Sequence, residues 1–576
     1  MEEEIVQKKV KKEKRKRSDK ATNIIFDGLA VICIIIIAIA ITPKALQNDT
    51  FYNIKCGEYI LKNGIFHLNK DPFSWHNLPY TWPHWLYDLL TYVVYHIAGS
   101  HWGLGFYIVT TALTAILGMA LYKTSLKLTK NNKVVSLIAT LFAIYLMKPY
   151  IAARAQLVTF ILFVLEIYFI EKLLETDKKR YGFALLLIAL LIVELHCAVF
   201  PMFFVFSAPY VAEFVFLWLQ DLDLDERVFR GILRILKRFS LSDTKKARYT
   251  ELIEKSKKNV EARKIKREKR RKNPYKVVIA RNKAQTTLII FLLIAGFLGF
   301  LNPAGTGAYT YTLRIYQGNT TNSINEHLPL TLIDNKGYSI MLAITLTILV
   351  LVDIKVRLSD LLMFAGTLYL SLKSRRQVSL ELIMGMPILA KFIASFFEKY
   401  DDKLCKILKD LATTIVGMIL VVTCVTLIGN DLYQEKKDEQ YVEPASYPVE
   451  ATKFLYQYME ENNIALEDLH LYNEYNYGSY LLLQGIPVFI DSRCDLYTPE
   501  FNGNQDIFTD ALAVPSLNSN YQEIFDRYDV RHVILYSNDD VNHNLHQDAG
   551  YQELYNDGSF TIYKRVENEN GIEEDF

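Results

Sequence analysis

Residues 24–41 read IIFDGLAVICIIIIAIAI, a run with a single charged side chain, Asp27. Its reading decides the class of the whole chain. As a helix rising about 1.5 Å per residue it would cover roughly 27 Å, close to the hydrocarbon thickness of a bilayer. The cationic run KKVKKEKRKR at 8–17 precedes it. No small-residue cleavage site follows, so the run reads as an uncleaved first span whose basic flank, residues 1–22, stays in the cytoplasm. Residues beyond Pro43 are then outside.

Working outward, further apolar runs fall at about 102–122, 134–150, 157–175, 182–197, 203–219, 286–303, 339–353, 358–372, 377–396 and 409–429. A single helix over 182–219 would be roughly 57 Å long, far more than a bilayer needs. Glu194-Leu195-His196 and Pro201 therefore mark a turn between two spans. Segment 82–98, WPHWLYDLLTYVVYHIA, is ambiguous. If it crosses, the basic stretch KTSLKLTKNN and the loop 221–285 lie outside; if it rests in the interface, both lie inside. That loop holds 22 Lys/Arg against 9 Asp/Glu. The positive-inside rule favours an interfacial helix and eleven spans. The first outside loop is then 43–101, the transmembrane module 23–430, and everything after about 430 lies outside. The loop 221–285 is expected along the inner leaflet, with a solvated helical pair as the alternative.

The 576 residues carry a net charge of +2 from 65 basic and 63 acidic groups, so no global attraction to nucleic acid exists. Six cysteines without a CxxC spacing exclude a zinc ribbon or a disulfide scaffold. No phosphate-binding glycine loop is present. From 446 the pattern changes: LHLYN, PVFID, RHVILY and SFTIYK are strand-length runs. Amphipathic stretches at 448–462, 476–484 and 520–528 alternate with the first three, and Asn556-Asp557-Gly558 signals a hairpin. This predicts a small α/β domain over 431–567, followed by an acidic tail, 568–576.

Chemistry concentrates in the first outside loop. Asp49 follows the first span closely, where a carboxylate can act as general base on an acceptor hydroxyl. Asp71-Pro72 marks a turn. Asp88, His67, His76, His84, Trp75, Trp82 and Trp85 add acids, imidazoles and aromatic faces. The plainer reading is a solvated polar loop with an interfacial aromatic belt. Arg154, Glu194, His196, Glu326, Arg375 and Arg376 sit at the outer ends of later spans. Cations there run against the positive-inside trend, and gripping a phosphate or diphosphate is one reason for them. A local salt bridge such as Arg376 with Glu381 is the other. Glu166, in mid-span, is either functional or a neutral bundle-facing acid.

These residues resemble the GT-C superfamily of polyprenyl-phosphate-sugar-dependent membrane glycosyltransferases, within a bacterial protein-mannosyltransferase-like group. The resemblance is carried by Asp49-Thr50-Phe51-Tyr52, Gly57-Glu58-Tyr59-Ile60, Asp71-Pro72-Phe73-Ser74-Trp75 and Trp82-Pro83-His84-Trp85-Leu86. It continues through Arg154-Ala155-Gln156, Glu194-Leu195-His196, Asn302-Pro303, Ile324-Asn325-Glu326 and Ser374-Arg375-Arg376. In the tail, Tyr477-Gly478-Ser479-Tyr480 and Val488-Phe489-Ile490-Asp491-Ser492-Arg493 belong to the same pattern. Asn53 and His84 depart from it, where the group would have a His and a Glu.

The resemblance implies an α-helical polytopic membrane protein of GT-C type, with about eleven transmembrane helices, interfacial helices and a small C-terminal α/β extracytoplasmic domain. It implies transfer of a sugar from a polyprenyl-phosphate donor to an outside acceptor: glycan, lipid or protein. Asp49 would be the base, with Asp71 and His84 beside it as catalytic candidates. Arg154, Arg375 and Arg376 would hold the donor phosphate. Trp82, Trp85, Glu326 and His196 would contact sugar or acceptor. Some such enzymes use a divalent cation, for which Asp49 and Asp71 offer oxygen ligands. A transporter or flippase of lipid-linked glycans, and a catalytically silent protein of the same fold, remain as alternatives.

Overall fold

The computed structural model describes residues 24–65, 70–279, 282–318, 320, 324–400, 403, 407 and 414–566. The basic N-terminus 1–22, His67, the first residues of the run expected from 409 and the acidic tail 568–576 lie outside the described residues.

Each apolar run becomes a helix. They are α1 (Ile24–Ile41), α4 (Trp102–Leu128), α5 (Lys133–Leu146), α6 (Ala155–Thr176), α7 (Lys179–His196) and α8 (Phe200–Leu222), then α11 (Ala284–Leu298), α13 (Lys336–Leu351), α14 (Leu358–Lys373), α15 (Val378–Tyr400) and α16 (Ile415–Gln434). Between them lie α2 (Asn48–Asn63), α3 (Trp85–Ala98), α9 (Leu224–Phe239), α10 (Asp243–Lys272) and α12 (Gly307–Gln317). The outward faces stay apolar: Ile108, Leu187, Leu293 and Leu420 are each more than half exposed. An apolar mantle of this extent belongs in hydrocarbon, so the chain is a membrane protein. Five helical stretches among the described residues are long and apolar enough to cross, and α5, α11 and α13 are shorter apolar helices.

Two breaks set the path. Gly99 (φ 53°) ends α3 before α4 begins, and Asp223 (φ 44°) separates α8 from α9. Arg154, before α6, approaches Asp49, after α1, at 2.7 Å. Both therefore lie at one end of the bundle. Helix α3 packs across α2, where Gly57 makes the close approach: a Cβ there would stand 2.1 Å from the Asp88 carbonyl oxygen. Leu90, Val93 and Ile97, at helical spacing, form its exposed apolar edge.

Four residues beyond the end of α10, a short parallel pairing joins β1 (Val277–Val278) to β2 (Val356–Arg357). The C-terminal part is a four-stranded sheet in the order β3 (Leu471–Tyr472), β4 (His532–Tyr536), β6 (Phe560–Arg565), β5 (Tyr551–Asn556). The β5–β6 hairpin turns at Asn556-Asp557-Gly558 (Gly558 φ 85°). Helices α17 (Val449–Asn462), α18 (Gly478–Gln484) and α19 (Tyr521–Arg527) occupy the predicted amphipathic stretches.

PVFID, read from sequence as a strand, is not one. Its backbone is taken by Asn473, whose side chain accepts from Phe489 N at 2.9 Å and donates to Ile490 O at 2.7 Å. Val488 N donates to Phe73 O at 3.2 Å, so the segment seams the sheet to the first loop instead of entering the ladder. Buried side chains of that loop and of the C-terminal part share one core, including Phe51, Trp82, Tyr472 and Phe489.

Candidate functional site

A cavity of about 1270 Å³ opens where the ends of α1, α6, α7 and α14 meet the C-terminal part. Asp49 lies in the first turn of α2, where the helix dipole favours an anion. Its neighbours fix that turn. Asn48 donates to Tyr475 O at 2.7 Å, and the Thr50 hydroxyl donates to Ala153 O at 3.1 Å. The carboxylate therefore faces Arg154, the residue before α6, with Oδ2 2.7 Å from Nε. Glu326 reaches Nη1 of the same guanidinium at 3.7 Å. Burial works against the Arg154 charge, but Asp49 and Glu326 outweigh it and raise its pKa.

His84 and His196 meet on the cavity wall with ring centroids 4.7 Å apart and planes tilted by 58°. Thr159 Oγ1 lies 2.9 Å from His196 Nδ1, and Tyr52 Oη lies 3.4 Å from His84 Nδ1. Burial, aided by Arg376 and opposed by Asp49, brings the His84 pKa down to about 4, so this imidazole is neutral near pH 7.

Arg376 and Lys373 also line the cavity. Neither has a carboxylate partner among the described residues; Lys373 Nζ lies 5.0 Å from the Tyr316 ring centre. The salt bridge considered between Arg376 and Glu381 is not formed: Glu381 is buried and accepts from Thr367. Below the cations the wall turns apolar with Phe160, Phe163 and Met202 from the membrane helices.

Asp49, His84, Arg154, His196, Glu326 and Arg376 thus share one cavity. Four other residues expected at the site stand elsewhere. Arg375 turns away, its Nε donating to Pro329 O at 3.3 Å. Asp71 is buried, accepts from Ser74 N at 2.8 Å and pairs with Arg493 at 2.7 Å. Trp82 (φ 48°) stacks on Tyr59 at 5.6 Å inside the core. The indole N–H of Trp85 donates to Glu194 at 2.7 Å. Glu166 faces the bundle and accepts from Ser207 at 2.8 Å.

With Asp71 claimed by Arg493 and Asp49 by Arg154, the two carboxylates do not converge, and the donor set suggested by the sequence does not fit a divalent cation. Groups of three or more metal-ligating side chains are absent among the described residues.

Sequence reasoning missed Lys373, Tyr311 and Asp495. Asp495 enters the cavity from the C-terminal part and accepts from the Tyr311 hydroxyl at 3.0 Å. Burial raises its pKa, while the Tyr311 hydrogen bond and Arg376 oppose the rise.

No family model and no curated protein matches the chain. Solved structures do. The Archaeoglobus fulgidus oligosaccharyltransferase, tethered with an acceptor peptide containing the NVT sequon, superposes with a TM-score of 0.50 at 12% identity, over 94% of this chain and 74% of that one. The same enzyme in complex with Zn and sulfate gives 0.46 at 12% identity, over 93% and 73%. The first likeness shows the fold: a GT-C architecture carrying a C-terminal α/β part.

Proposed function

We propose that this chain is an integral membrane glycosyltransferase that moves a sugar from a polyprenyl-phosphate donor to an acceptor outside the cytoplasm. The observation that carries the proposal is the charge arrangement of the cavity. One carboxylate, Asp49, pairs with Arg154 in the cavity lining, and two cations without carboxylate partners among the described residues, Arg376 and Lys373, line the same cavity. Cations that the chain leaves without an internal carboxylate can take an external counter-ion, and a phosphate supplies one in a form that guanidinium grips bidentately. The apolar wall of Phe160, Phe163 and Met202 suits the first isoprene units of such a donor. A lipid-linked donor also agrees with the glycosyl-transferring neighbour of the same fold.

In the reaction an acceptor hydroxyl oxygen attacks the anomeric carbon. Its proton passes to Asp49, the new C–O bond forms, and the bond from the sugar to the phosphate oxygen breaks with its electron pair leaving on the phosphate. Arg376 and Lys373 stabilise the charge that develops there. Neutral His84, with His196 beside it, lines the sugar side, and Glu326 orients Arg154. Asp495 and Tyr311 border the acceptor entrance beneath the C-terminal part. In this reading the cavity and that part lie outside the cell.

The test is to incubate the purified full chain with a panel of polyprenyl-phosphate sugars and an acceptor mixture. Release of polyprenyl phosphate with one donor supports transfer. Movement of intact lipid-linked glycan across a vesicle without release would overturn it in favour of transport.

A further inference from the structure

The end of the bundle remote from the cavity carries an amphipathic helix with one face uncovered. In α9, Val228, Ile232, Ile235 and Phe239 recur at i, i+4, i+7 and i+11 and share a face. They are 59, 51, 59 and 78% exposed. Arg227, Arg234 and Arg238 run along one edge of that face, all exposed, with no carboxylate partner among the described residues.

The opposite side of α9 is occupied. Leu233 is buried there, and Glu226 accepts from the Ser256 hydroxyl of α10 at 2.5 Å. Arg230 donates to the same Ser256 at 3.3 Å. Three arginines one helical turn apart on α10 then clamp the junction between α8 and α9. Arg271 pairs with Asp221 at 3.0 Å, Arg267 forks onto Asp223 at 2.9 and 2.6 Å, and Arg263 pairs with Asp225 at 2.6 Å. The clamp fixes the attitude of α9 and leaves its apolar face free.

Continuity says what covers that face. Only Asp223 separates α9 from the membrane helix α8, whose last turns expose Phe216, Trp218 and Leu219. An exposed Trp at the end of a span marks the headgroup level, so α9 leaves the bundle at that depth. An apolar face edged by arginines matches an anionic monolayer: the aliphatic and aromatic groups enter the acyl boundary while guanidinium groups meet phosphate.

We propose that α9 is an in-plane membrane helix on the face opposite the cavity, binding anionic phospholipid headgroups through Arg227, Arg234 and Arg238. This surface is separate from the transfer site and independent of the reading given to that site.

The test places the photo-crosslinker p-benzoylphenylalanine at Ile232, at Phe239 and, as a control, at exposed Lys258 of α10. The full chain is reconstituted in vesicles of equal phosphatidylglycerol and phosphatidylcholine. Phospholipid adducts at 232 and 239 but not at 258 are expected. In a parallel arm, the variant Arg227→Gln/Arg234→Gln/Arg238→Gln is extracted in mild detergent and its retained lipid is weighed by mass spectrometry. Each arginine removed should lower the phosphatidylglycerol-to-phosphatidylcholine ratio by up to about fivefold. Adducts to a second copy or to another protein at 232 and 239, no adduct there, or an unchanged lipid ratio would each overturn the proposal.

Discussion

The two ends of the helix bundle handle charge in opposite ways. At the end remote from the cavity, apart from the outward edge of α9, cations at the helix ends meet carboxylates of this chain. Lys133 pairs with Asp27 at 2.7 Å, Arg357 with Glu171 at 2.9 Å and Glu213 at 3.2 Å, Lys399 with Asp353 at 2.5 Å, and Lys391 with Asp360. At the cavity end, Arg154 is paired, but Arg376 and Lys373 face open space. Internal pairing serves structure; cations left for a partner serve binding. The contrast therefore separates architecture from site more sharply than burial does.

The largest expected effect lies where the cavity end does use internal pairing. Asp71 and Arg493 are both buried, and Asp491 completes the trio by accepting from Arg493 at 2.6 Å. Asp71→Ala leaves a buried guanidinium short of one partner and should destabilise the protein by about 3–5 kcal/mol. A fall in melting temperature with early loosening of the C-terminal part, seen by limited proteolysis, checks this. Next comes Arg376→Ala, which removes a charge-assisted contact of about 1.5–3 kcal/mol to the donor phosphate. Donor binding should weaken by one to two orders of magnitude with melting unchanged, measured on detergent-solubilised protein.

A pH effect follows. Burial holds both His76 and His84 at about 4, against 6.5 when unfolded. The unfolded chain then takes up protons first as pH falls. The stability these residues contribute is full above about pH 6.5 and lost as pH falls toward about 4. Melting curves at pH 7.5 and 5 should show the drop, and His76→Gln should reduce it. The smallest effect belongs to Arg375→Ala. That side chain holds only a loop carbonyl, so donor affinity should move by less than about 0.5 kcal/mol. A loss equal to that of Arg376→Ala would erase the distinction drawn between the two neighbours.

The helices were legible because hydrocarbon solvates only long apolar runs, and those runs are local in sequence. Helix α3 was harder: only charge on distant loops bears on whether it crosses or rests in the interface, and its exposed edge of Leu90, Val93 and Ile97 suits either. PVFID misled because its apolar residues are buried without a ladder: Asn473 satisfies its backbone, and nothing local shows that. At the site, span-end positions marked Arg154 and Arg376, and Lys373 carried the same mark unread. Asp495 had none, since it reaches the cavity only once the C-terminal part docks on the first loop. Asp71 and Trp82 drew attention as polar and aromatic loop residues, yet both went into the seam beneath that part.

The central claim, that Asp49 is the base and the unpaired cations hold the donor, is tested most directly by Asp49→Asn in the full chain, with donor binding and polyprenyl phosphate release measured on the same sample. A positioned base contributes about 10²–10⁴-fold to rate. The account predicts a loss of release of that size with donor affinity kept within a few-fold. Release at the parent rate by Asp49→Asn would contradict it.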